Sequence, residues 1–103
     1  MIRGTTPDYV LTLNTDLTGM AVYVTISQGG HKVTLTGDDL TVVAGAASST
    51  IAIRLSQQQT LGLREGKAQI QVRFIAQDGT AKATDIKEIT VNRVLLERVI
   101  EYA

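Results

Sequence analysis

The chain has 103 residues, ten Lys and Arg balanced by ten Asp and Glu, one histidine and no cysteine. A chain of this length suits one domain that hides roughly two-thirds of the surface it would expose unfolded. The absence of cysteine excludes disulfides and thiolate metal sites, and the charge balance leaves no net field to draw the molecule to nucleic acid or to an anionic membrane surface. The amino terminus has neither the basic and apolar regions of a secretory signal nor a run near the roughly 20 apolar residues that span a bilayer.

The chain opens "MIRGTTP", and residues 1–7 are expected to form an arm: Ile2 and Arg3 extended, Gly4 to Pro7 a turn that redirects them. Such an arm packs on a partner or along an edge strand of its own domain. Tyr9, Leu11 and Leu13 then alternate with Val10 and Thr12. After a turn-forming loop over 14–19, Met20, Val22, Val24 and Ile26 alternate with Ala21, Tyr23, Thr25 and Ser27. A period of two is the signature of strands with one buried and one wet face. Gly29-Gly30 supplies a tight hairpin turn between strands over 20–28 and 31–36. A short apolar piece covers 40–43, a small-residue loop follows, and Ile51, Ile53 and Leu55 mark the next strand. Ser56 and Gln59 have capping-box spacing for one helical turn, which Gly62 and Gly66 limit.

Ile70, Val72 and Phe74 alternate up to Asp78-Gly79, a hairpin signal, and the return strand covers about 81–92. Its apolar phase slips between Ile86 and Ile89. One extra residue, a β-bulge near Lys87-Glu88, would restore it. In the tail, residues 93–103, Val94, Leu95, Leu96, Val99 and Ile100 fit helical spacing, so a short amphipathic helix is expected, with an extended arm as the alternative. About seven short strands with regular turns predict an all-β fold, a two-sheet antiparallel immunoglobulin-like sandwich formed as a single domain over 1–103.

No pattern of catalytic residues emerges. His31 sits beside a glycine turn without a nucleophile motif, Asp38-Asp39 lacks the ligand spacing of a calcium loop, and Gly29-Gly30 opens no helix that would cradle phosphate. No catalytic residue, cofactor, metal or small-molecule substrate is therefore expected. The candidates that remain are contact residues. Tyr23 is the aromatic that faces outward mid-strand, Ile75 lies beside Arg73 on a polar face, and Leu95, Leu96, Val99 and Ile100 form a stripe to be covered by the domain itself or by a neighbour. Ile2 and Arg3 join them in the arm.

"MIRGTTP" followed by an alternating strand resembles the start of small proteins encoded among tail genes of phages and prophages of Gram-positive bacteria. So do "LSQQQTL" and "QIQVRFIAQDGTAKATDIKEITVNRVL". "DLTGMAVYVTISQGGHKVTL" is similar to the segment that opens the amino-terminal sandwich of phage baseplate upper proteins. The resemblance implies a virion structural protein, assembled in the bacterial cytoplasm, that contacts other phage structural proteins or itself and carries no catalytic residues. A ligand- or carbohydrate-binding sandwich module is the alternative reading, and an enzyme stands well behind both.

Overall fold

The computed structural model describes residues 1–102. Eight strands are β1 (Asp8–Leu13), β2 (Ala21–Gln28), β3 (His31–Thr36), β4 (Leu40–Val43), β5 (Ser49–Arg54), β6 (Gly66–Ile75), β7 (Ala81–Ala83) and β8 (Lys87–Val91). One short helix, α1 (Gln57–Leu61), lies between β5 and β6. The strands form two antiparallel sheets. One has the order β1-β5-β4; in the other, β2 lies between β3 and β6, and β6 pairs with both β7 and β8. Their apolar faces share one core, the arrangement of a β-sandwich.

Alternation decides which side chains enter that core. Val22, Val24 and Ile26 of β2 and Ala68, Ile70, Val72 and Phe74 of β6 are buried, while Lys67, Gln69 and Arg73 between them are exposed. Ile51 and Ile53 of β5 face them from the other sheet. Tyr9 is half-buried against the same core, and this burial raises its phenol pKa. The Gly29-Gly30 hairpin forms with both glycines at positive φ. At the Asp78-Gly79 turn the Asp78 carboxylate accepts the Thr80 N–H at 2.8 Å, and that bond lowers its pKa.

The helical turn is built as its capping box implies. Ser56 Oγ accepts the Gln59 N–H at 3.1 Å, and Gln59 Oε1 accepts the Ser56 N–H at 2.8 Å. The loop over 14–19 buries Leu17, because the Oγ of buried Ser49 accepts the Leu17 N–H and donates to the Thr15 carbonyl. This ties the loop down over the core.

Two expectations need correction. The return strand is not continuous over 81–92. Gln71 and Val72 of β6 face three residues, Thr84, Asp85 and Ile86, so the extra residue lies there and not at Lys87-Glu88. Thr84 causes the displacement: its N–H donates to the Val72 carbonyl, and its Oγ1 takes the Val72 N–H at 3.1 Å, replacing the next ladder bond. The bulge leaves Ile86 exposed on the outer face. The tail does not form a helix. Residues 93–102 form neither helix nor strand and run as an irregular arm with bends at Leu95, Leu96 and Arg98, closer to the alternative of an arm. A helix of this length is marginal unless packing supports it, whereas the irregular arm lets Val94 approach Gly4 and lets Ile100 bond Gln57.

Candidate contact surfaces

Both ends of the chain meet beside α1. The amino-terminal arm adds to the free edge of β8 as a short parallel strand. The Asn92 N–H donates to the Met1 carbonyl at 2.6 Å, and the Arg3 N–H donates to the Asn92 carbonyl at 3.0 Å. Gly4, at φ +75°, then turns the chain under Leu61, and Thr60 Oγ1 donates to the Thr5 carbonyl at 2.9 Å. Arg3 is largely buried within this junction. Its Nε donates to the Leu63 carbonyl at 2.5 Å, its Nη2 to the Leu61 carbonyl at 2.9 Å, and its Nη1 to Glu97 of the tail. Carbonyls at the end of a helix lack intrahelical donors, and the guanidinium satisfies that end here. The arm thus lies on its own domain, and Arg3 is engaged inside it.

The tail crosses the same junction with few attachments. Gln57 holds Ile100 by a pair of bonds, its Nε2 donating to the Ile100 carbonyl at 3.1 Å and its Oε1 accepting the Ile100 N–H at 2.8 Å. Leu95, Leu96, Val99 and Ile100 all remain exposed, Leu95 at 87%. Ile2 is exposed on the arm at the same end. The structure therefore gathers five of the candidate residues at one junction, with Arg3 as its internal support. Gln57, Thr60 and Glu97 organise it and escaped the sequence analysis, because their partners lie 43, 55 and 94 residues away.

Tyr23 and Ile75 form a second, smaller site. Tyr23 stands opposite Arg73, and Ile75 opposite Ala21 and Ala81, on the outer face of the larger sheet. The register makes the two side chains diagonal neighbours, a spacing that large side chains bridge. The result is a narrow apolar strip with one guanidinium beside it.

Groups able to do chemistry are scattered. His31 is exposed, with its Nε2 close to Gly62. Asp39 accepts the Thr36 N–H at 3.2 Å in an exposed 3-10 turn. A groove of about 510 Å³ beside the terminal junction mixes Arg3, Arg64 and Arg93 with Glu65 and Glu97, so its charges largely cancel. Among the described residues no three His, Cys, Asp or Glu side chains group to hold a metal, and no helix is long and apolar enough to cross a membrane. Comparison with protein-family models, curated proteins and solved structures gives no match.

Proposed function

We propose that this chain is a non-enzymatic structural component of a phage or prophage tail or baseplate, a virion protein whose sandwich is of the immunoglobulin-like kind. It works through contacts with other phage structural proteins or with itself, and takes no nucleic acid, membrane or small-molecule substrate. The observation that carries this reading is the terminal junction. Ile2, Leu95, Leu96, Val99, Ile100 and Tyr102 make up half of the exposed large apolar residues among those described, and all lie within the two terminal segments. An apolar concentration of that kind marks a protein contact. The resemblance of the opening and of the 69–95 region to tail-gene products supplies the setting.

The test is the content of particles released on prophage induction of the strain that carries the gene. The chain should be present in purified particles at the stoichiometry of a structural protein. A Leu96→Ser, Ile100→Ser double variant, which loses about 2 kcal/mol of docking free energy, should bind about thirtyfold more weakly and drop out of them. Particles free of the wild-type chain overturn the proposal.

A further inference from the structure

On one side of the molecule the two sheets part around a cleft of about 600 Å³, and its walls are strand edges of opposite character. One lip is β1. Six consecutive residues, Val10 to Thr15, line it. Successive side chains of a strand point to opposite faces, so an unbroken run along one wall is the strand's backbone edge. The Leu55 N–H donates to the Pro7 carbonyl at 3.2 Å, and this bond sets the phase of the β1–β5 ladder. Tyr9, Leu11 and Leu13 exchange bonds with β5, which leaves the N–H and C=O groups of Asp8, Val10 and Thr12 turned away from it. Among the described residues β1 has no second neighbour. From Tyr9 to Leu13 it also carries no charge, proline or bulge, the features that protect an edge from pairing.

The opposite lip is protected. It contains the bulge at Thr84–Ile86, and the register sets Lys82 opposite Phe74 and Lys87 opposite Ile70, both in the inward phase. Between the lips the core is incompletely covered. Leu13, Ile70 and Phe74, which line the cleft, keep 7–9% of their surface, while Val24, Ile26 and Ile51 keep none.

We propose that this open side is a two-fold interface between two copies of the chain. In it β1 pairs antiparallel with β1 of the second copy, joining two three-stranded sheets into one of six strands and closing both clefts. Charge selects a second copy as the occupant. Antiparallel pairing centred on Leu11 sets Val10 against Thr12 of the second copy and places Asp8, the only charged residue of β1, beside an amide, Asn14, and not beside its like. On the other lip Asp85 and Lys87, two residues apart and opposite in charge, both line the cleft, so a two-fold axis that runs between them would set each against its counterion in the second copy. A contact surface of this kind is self-complementary, as a two-fold interface requires. The bulge and the inward lysines keep that lip from pairing through its backbone, so β1 alone sets the register. This inference does not depend on the virion reading.

The test is the solution mass of the purified full chain across a dilution series, by light scattering. The wild-type protein should show twice the chain mass at high concentration. Val10→Pro removes an N–H that faces the cleft and that β5 does not use, and proline is tolerated at such edge positions. It should leave the dilute fold intact and raise the dissociation constant about thirtyfold, the loss of one ladder bond from each copy. Lys87→Glu should also weaken the dimer, and adding Asp85→Lys to it should restore the dimer. This charge pair decides the question if Val10→Pro does not fold. A wild-type mass of one chain at several hundred micromolar overturns the proposal. So does a dimer that survives Val10→Pro, or one that Leu96→Ser with Ile100→Ser alone abolishes.

Discussion

The two ends of the chain lie side by side, carry similar apolar residues and are held in different ways. The amino-terminal arm is fixed through its backbone, by bonds between residues 1–3 and the edge of β8, and through a guanidinium that reaches one carbonyl at the end of α1 and one just beyond it. The tail is fixed through side chains, by Gln57 at Ile100 and by Arg3 at Glu97, while its leucines stand in water. Apolar composition does not distinguish a segment that completes its own domain from one left for a neighbour. What separates them is whether the backbone has somewhere to pair. The arm finds the free edge of β8, whereas the tail, which continues the chain beyond β8, has no strand partner among the described residues.

Arg3 is the residue on which both ends depend, so its loss should break the comparison most severely. Arg3→Ala leaves the carbonyls of Leu61 and Leu63 without their charged donor and releases Glu97. Hydrogen bonds to charged groups contribute about 1.5–3 kcal/mol, whereas the exposed Glu97 contact adds little. The expected loss is about 2 kcal/mol, or on the order of 10 °C in the unfolding midpoint of a domain this size. Arg3→Lys cannot reproduce the planar fork and should recover less than half of it. An unchanged midpoint for Arg3→Ala would show that the arm is not tied to the helix end. Gly4→Ala should come next, at about 1–2 kcal/mol. An L-residue at φ +75° is strained, and its Cβ would lie 3.3 Å from Leu61 Cδ2. This change acts on the arm alone, so hydrogen exchange at the Arg3 amide should speed up while the Ile100 amide keeps its rate.

Much of the fold was legible in the sequence because strand alternation is a local signal. The phases of β2 and β6, the two glycine-marked hairpins and the Ser56–Gln59 capping box all follow from residues within a few positions of one another. The bulge was legible as a count and not as a place. The apolar phase required one extra residue, but only the Thr84 hydroxyl, by substituting for a backbone carbonyl, determines where it falls. Leu17 and Ser49 were not legible, since a leucine in a loop enters the core only when a hydroxyl 32 residues away holds the loop there. The tail misled for a related reason. Helical spacing of its apolar residues describes a stripe, but a stripe produces a helix only where a surface receives it, and here the irregular arm finds Gln57 and Gly4. Of the contact residues, Tyr23 and Ile75 stand outward as their phase predicts, whereas the engagement of Arg3 within its own domain rests on carbonyls some 60 residues distant.

The finest test of the contrast is Gln57. Its amide imitates one rung of a β-ladder, donating to and accepting from the same residue of the tail, and both bonds are exposed to water. Exposed bonds of this kind contribute about 0.5–1 kcal/mol to the local structure they close and much less to global unfolding, because the tail buries few of its apolar groups. Gln57→Ala should therefore leave the unfolding midpoint within about 2–4 °C of the wild type. The Ile100 amide should nonetheless exchange about two- to fivefold faster, while amides of the arm keep their rates. Gln57→Glu separates the two halves of the rung: it retains an acceptor for the Ile100 N–H but sets a negative oxygen against the Ile100 carbonyl, so the exchange rate should fall between those of wild type and Gln57→Ala. Unaltered exchange at Ile100 in Gln57→Ala would mean that the tail is held by its apolar side chains after all. The contrast between the two ends would then be one of backbone pairing in the arm against apolar packing in the tail.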